Sequence, residues 1–310
     1  MRTLVPLLAV GSLACVDYAV TRSQQLDVWT QPERDGEVDI LWVLDNSGSM
    51  SEEHESLTTH AEAFTGTLSA AELEFRLALV STDPADAGLL LAPVLDESSS
   101  ALTETFVVAV TEAGIAGDRE EEGFTAALAG ADEARVPEFA RSGADLQVVI
   151  YSDEDDASSL EVADFLAELD GVRSGEVTVN TIVGDAPAGC ASTVAAADAG
   201  LRYHEARERS GGVRESICTT DMDAVLQRLG NAVIGLNASF TLSELPLLNT
   251  LEVQVDDVVI PRRDTDGWRY SGLDNSILFD GWAIPRPGAK IQAAYFDWTG
   301  GPLPDTGAAE

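Results

Sequence analysis

Residues 39–50 read DILWVLDNSGSM, an apolar run that ends abruptly in an acid, two serines and a glycine. A run of Ile, Leu, Trp and Val with no polar interruption is the pattern of a strand covered on both faces, as in a parallel sheet between helix layers. Three later segments also read as strands: FRLALVSTD (75–83), LQVVIYSD (146–153) and VTVNTIVGD (177–185). Between them lie helical patterns. Leu57, Ala61, Phe64 and Leu68 recur at helical spacing within 51–70, and further helices are predicted around 103–113, 119–134, 160–169 and 221–236. Strands alternating with helices imply right-handed crossovers and a doubly wound α/β domain with a central, mostly parallel sheet. We place this domain at 37–236. The cysteine-containing stretch GLRYHEARERSGGVRESIC (200–218) is expected to supply an edge strand and its return.

The pattern changes after residue 236. Leu251, Val253 and Val255 alternate with polar residues, Asp256 and Asp257 suit a turn, and short β-like runs follow between Gly, Pro and Asp. This predicts a small antiparallel β module at 238–298, with 299–310 as a flexible tail. The polar stretch 16–36 has no clear period and reads as a tether.

Composition limits the partners. The 310 residues carry 54 acidic against 18 basic side chains, a formal net charge of −36, and Lys290 is the only lysine. Such a field repels nucleic acid and anionic lipid headgroups and favours cations. Most of these acids read as a solvated surface. Residues 1–15, MRTLVPLLAVGSLAC, have one Arg, a short apolar run and small residues, which suits a cleaved export signal rather than a permanent membrane span. SLAC resembles a bacterial lipobox with Ser12 where Leu is usual, which implies lipidation of Cys15 and a membrane contact made only through that anchor. Export leaves Cys190 and Cys218 as an even pair in a compartment where disulfides persist; two buried free thiols are the alternative if there is no export.

In a doubly wound sheet, ligands bind beyond the carboxyl ends of the strands. DNSGSM sits at one such end and brings Asp45, Ser47 and Ser49 onto a tight loop. A carboxylate and two hydroxyls are half of an all-oxygen site for Mg²⁺ or Ca²⁺. Asp153, ending another buried strand and followed by Glu154, Asp155 and Asp156, is placed to add to it. Together these elements resemble a von Willebrand factor type A domain carrying a metal-ion-dependent adhesion site. That family has an apolar strand leading into D-x-S-x-S, a Thr on a later loop and an Asp ending a still later strand. The resemblance covers residues 37–236 and implies a Rossmann-like fold. It also implies metal ligands at Asp45, Ser47, Ser49 and Asp153, and a protein partner whose carboxylate completes the coordination.

The chain departs from the family at the Thr. Registering the following AAL on the family pattern puts Glu121 or Glu122 in its place, with Glu121 preferred; the alternative is that these acids only complement the helix N-terminus. A direct carboxylate there adds negative charge and implies a site that favours Ca²⁺ and is more structural. Asp83 reads either as an acid behind the site or as a turn residue. His54, His60 and His204 lack zinc spacing and are expected on the surface; His54 beyond Ser49 invites a hydrolase reading, but no G-x-S-x-G elbow supports it. The expectation is therefore a non-enzymatic, exported envelope protein that binds another protein through a cation. The alternative is a scaffold whose metal is purely structural.

Overall fold

A computed structural model describes residues 20–21, 23–32, 36–71, 73–117, 121–263, 266–272, 275–297 and 299–300. The predicted export signal and Cys15 lie outside the described residues. The α/β domain contains β1 (Val38–Leu44), α1 (Ser51–Thr59), α2 (Ala61–Ala70), β2 (Phe75–Ser81), β3 (Leu95–Asp96), α3 (Leu102–Ala113) and α4 (Gly123–Ala131). It continues with β4 (Asp145–Ser152), α5 (Val162–Val172), β5 (Val177–Val183), α6 (Leu201–Ser210), β6 (Arg214–Ser216) and α7 (Met222–Val233).

The six strands lie in the order β6-β5-β4-β1-β2-β3, and every neighbouring pair is parallel except β2 with the short edge strand β3. The order reverses between β1 and β4. That is the switch point at which open α/β sheets form their ligand crevice.

Every residue of β1 is buried, and its side chains alternate between two cores. Trp42 packs edge-on against Phe64 and Phe106, with ring centroids 5.1 and 5.3 Å away, beneath α1, α2, α3 and α7. On the opposite face Phe124 stacks on Phe165 at 4.0 Å. Burying such aromatic side chains on both faces holds the strand ends in a fixed register.

Three segments differ from expectation. Residues 200–218 form helix α6 followed by a strand of only three residues, because Tyr203 and Ala206 bury at helical spacing and Gly211, in the left-handed conformation at φ 78°, ends the helix. Within the expected tether, Gln24–Thr30 is a seven-residue strand paired antiparallel with Lys290–Phe296. Two of its three inward positions are polar: Gln25 donates to Asp297, and Asp27 accepts from Ser243 and Tyr295, while Trp29 packs on Phe240 and Leu26 and Val28 face solvent. The expected tail also begins inside the ladder, since Asp297 bonds Ser23 and Thr299–Gly300 pairs with Val20–Thr21; 301–310 lie outside the described residues.

The β module is thus built from both sides of the α/β domain. One sheet runs Val258–Val259, Glu252–Val255, Lys290–Phe296, Gln24–Thr30, and the other Ser239–Thr241, Ser276–Phe279, Trp268–Ser271. They share a core of Phe240, Val253, Trp268, Ile277, Phe279, Ile291 and Tyr295. Buried Gln31 clasps the entry to the exit: its amide donates to the carbonyls of Asn237 and Pro285 at 3.0 and 2.9 Å and accepts from the Asn237 N–H at 3.2 Å.

Cys190 and Cys218 form a disulfide, closing 28 residues of chain between the loop after β5 and the end of β6. Replacing either cysteine by serine should lower stability by about 3 kcal/mol through lost loop closure, read by chemical denaturation. An unchanged midpoint would show that the cross-link contributes nothing. Among the described residues no helix is long and apolar enough to cross a membrane.

Candidate metal centre

The crevice is assembled by four loops that leave the carboxyl ends of β1, β2 and β4 and precede α4. Asp45 is fully buried; its Oδ1 accepts the Ser47 N–H at 2.8 Å and its Oδ2 the Ser152 hydroxyl at 2.6 Å. This Asx turn curls the loop so that Ser47 Oγ lies 3.0 Å from Ser49 Oγ, which in turn donates to Asp153 Oδ1 at 3.3 Å. Gly117 closes one side: its N–H donates to the Asn46 carbonyl, and a Cβ at this position would lie 2.3 Å from Asn46 Oδ1. A side chain there would displace the Asn46 amide, which donates to the Ala113 carbonyl at 3.2 Å.

Glu121 lies in the crevice, 1% exposed, whereas Glu122 is half-buried at the N-terminus of α4. The Thr82 hydroxyl donates to Glu121 Oε2, and the Glu121 carbonyl accepts from Ala157 N–H at 2.7 Å. Glu121 Oε1 is buried and finds no partner among the described residues. Burial, with the Asp45 charge next, pushes the Glu121 carboxyl up to about 8. Burial and Asp45 likewise push Asp153 to about 7, although the Ser49 hydrogen bond opposes the rise.

The neighbouring acids have other tasks. Asp155 accepts the Arg202 N–H at the start of α6. Asp156 accepts Phe124 N–H at the start of α4 and pairs with Arg202 at 2.9 Å. Asp83 Oδ1 accepts Ala85 N–H in a turn.

Sequence reasoning missed four groups here. Thr82 and Ser152 hold the two acids from adjacent strand ends, and the signal was present in the paired endings STD and YSD. Glu53 is buried on the first turn of α1 with Oε2 unpartnered; burial raises its carboxyl, and Glu52 and Asp45 add to the rise. Among the described residues Tyr203 Oη, too, is buried without a partner.

The histidines correct an expectation. His54 and His204 are buried, because their Nε2–H groups satisfy strand-end carbonyls, of Asp45 at 2.8 Å and Gly184 at 3.0 Å. Burial lowers both from the ordinary histidine value. Such neutral rings are fixed as donors.

Two hydroxyls, three buried acids and an orphaned carboxylate oxygen fit the donor set of a hard divalent cation. The acids alone do not enclose a point: among the described residues no three acidic, histidine or cysteine side chains stand as a metal cluster. Two of the five candidate ligands are instead the hydroxyls of Ser47 and Ser49. Among the described residues no arginine or lysine forms an ion pair with Asp45, Glu121 or Asp153.

The doubly wound, mostly parallel sheet with a small antiparallel β module is the architecture expected from the sequence. No family model matches the sequence, and no curated protein matches it. Among solved structures the chain is similar to a von Willebrand factor type A protein from Catenulispora acidiphila, with TM-score 0.45 and 14% identity over 92% of this chain and 63% of that one. It is also similar to the pilus adhesin SpaC from Lactobacillus rhamnosus GG, with TM-score 0.45 and 11% identity over 93% and 43% of the two chains. A third is the conserved hypothetical protein BatB from Bacteroides thetaiotaomicron, with TM-score 0.41 and 10% identity over 64% and 98%. The chain spans less than two thirds of the length of the first two.

Proposed function

We propose that this protein is a divalent-cation-dependent protein-binding module, serving adhesion or assembly on the bacterial cell envelope, and not an enzyme. Asp45, Ser47, Ser49, Glu121 and Asp153 hold Mg²⁺ or Ca²⁺. The observation that carries this reading is the gathering of Asp45, Glu121 and Asp153 in one buried crevice, with no basic ion-pair partner and with Glu121 Oε1 unpaired among the described residues. Acids so placed repel one another until a cation neutralises them. When bound, the cation supplies a positive centre able to accept a carboxylate from a partner.

The residues also favour access from one side. Ser49 and Gly48 are exposed at the rim, and Gly48 lies against the backbone of Ile115, whose side chain is 45% exposed. One exposed isoleucine beside a hydroxyl is compatible with protein contact. His54 argues against hydrolysis, since its Nε2 is committed to the Asp45 carbonyl and not to a serine.

Capture from envelope extract with immobilised protein tests the reading. The partner should be retained in Mg²⁺ or Ca²⁺ and lost with chelator and with Asp45→Ala. Retention that ignores both treatments would leave the cation out of recognition. The enclosure of Glu121 and Asp153 favours the second reading, a scaffold with a structural metal; it predicts cation-dependent stability without cation-dependent capture. For the anchor, Cys15→Ser should move the protein to the soluble fraction, because one or more acyl chains would be its only hold on the bilayer. Unchanged membrane association would reject lipidation.

A further inference from the structure

We propose that Thr82 sets the cation preference of this site by occupying one oxygen of Glu121, so that the carboxylate can offer a cation only the other. The inference rests on the cation-binding reading above and goes beyond it by assigning selectivity to a residue outside the ligand set.

Thr82 is fully buried and pinned from three directions. Its N–H donates to the carbonyl of Leu44, the residue before Asp45, at 2.9 Å. Its own carbonyl accepts the Glu122 N–H at 3.0 Å. Its hydroxyl donates to Glu121 Oε2. The residue therefore ties the end of β1 to the glutamate loop, and the side chain it holds cannot turn without breaking that bond. A threonine hydroxyl has one hydrogen to give; the Leu44 carbonyl lies 3.4 Å away as a second acceptor, but Glu121 Oε2 is the nearer and, as a carboxylate, the stronger one.

The consequence lies in the second oxygen. Glu121 Oε1 remains buried and unpartnered among the described residues. Leaving a buried acceptor unmade is costly, so such an atom points to a ligand that the side chains do not supply. A carboxylate fixed in this way is a one-oxygen ligand. Mg²⁺ takes six oxygens in a tight octahedron and is served by single oxygens, whereas Ca²⁺ takes six to eight and readily accepts both oxygens of one carboxylate. A glutamate in place of the family's threonine implies a Ca²⁺ site on charge alone. The Thr82 clamp limits its denticity and moves the balance back toward Mg²⁺.

The test is calorimetric titration of the chelator-treated full chain with MgCl₂ and CaCl₂ in turn, for wild type, Thr82→Val, Thr82→Ser and Asp45→Ala. Thr82→Val should weaken Mg²⁺ binding about 10-fold while leaving Ca²⁺ within about 3-fold, the scale of losing one outer-shell partner. Thr82→Ser, which keeps the hydroxyl, should match wild type for both ions. If Thr82→Val shifts both cations equally or neither, the clamp has no role in selectivity, even though loss of binding in Asp45→Ala still supports the cation site. A wild type that gives no heat with either ion overturns both ideas. Should the valine variant not fold by circular dichroism, Thr82→Cys, a weaker donor of similar size, must give the same directional shift for the inference to stand.

Discussion

Millimolar Mg²⁺ or Ca²⁺ added to chelator-treated protein should raise its melting temperature, and Asp45→Ala should abolish the rise. A ligand that binds only the native state stabilises it by RT ln(1 + [L]/Kd), about 4 kcal/mol at 1,000 times Kd. For a domain of this size that corresponds to roughly 8–16 °C. The increment should grow with the logarithm of free metal. Asp45 dominates because it lies at the centre of the repelling set; its charge is among the causes that raise both Glu121 and Asp153. In the metal-free state the substitution has two opposed effects. It removes that repulsion but strands the buried Ser47 N–H and leaves the Ser152 hydroxyl only its longer bond, 3.1 Å to the Glu154 carbonyl. Asp83→Ala should leave most of the response, since Asp83 serves a turn at Ala85. Ser47→Ala should weaken it less than Asp45→Ala, because a neutral hydroxyl contributes less to cation binding than a charge. An undiminished thermal shift in Asp45→Ala would remove the loop from the site.

Without metal, raising the pH should destabilise the protein. Glu121 at about 8 and Asp153 at about 7 are carboxylates held above their ordinary range by burial and by Asp45. Between the unfolded and folded values the native state keeps protons that the unfolded chain has released, so stability falls as pH rises. The contribution is fully present near pH 4 and is lost as pH climbs through 7 and 8. A shift of three units in one group corresponds to about 4 kcal/mol, shared here among coupled acids. The general negative charge adds a slope of the same sign. The diagnostic is therefore the difference between variants: in chelator, Glu121→Gln should melt higher than wild type at pH 8.5 and equally at pH 4.5. Saturating Mg²⁺ should flatten the wild-type profile, as protons and metal compete for the same oxygens. Parallel pH profiles for wild type and Glu121→Gln would show that Glu121 does not titrate in this window.

The parts of the fold that could be read in advance are those where one dimension of sequence carries the signal. Strands such as β1 and β4 are buried on both faces, so the apolar run itself announces them. Helix α6 was obscured because only Tyr203, His204 and Ala206 bury in a run of charged residues. The strand Gln24–Thr30 inverts the usual alternation over residues 25–28, with only Trp29 inward as an aromatic. Its polar side chains are satisfied by partners about 216 to 272 residues away, which no local pattern can reveal. At the site, Asp45, Ser47, Ser49 and Asp153 follow from motif and strand context, and Glu121 from register with the helix after it. Thr82 and Ser152 depend on which strands become neighbours, a property of the sheet and not of any window of sequence.

The clasp at Gln31 and Asn237 also has a mechanical meaning. Tension between the crevice and the chain before Gln24 runs through the strand Gln24–Thr30 along its own axis. All seven of its paired positions against Lys290–Phe296 then share the load in shear, instead of opening one after another as in a zipper. The strand that enters the α/β domain is thus also its tensile mooring. Stretched from the N-terminal side, the β module should yield at a higher force than the same ladder peeled from its Lys290 end.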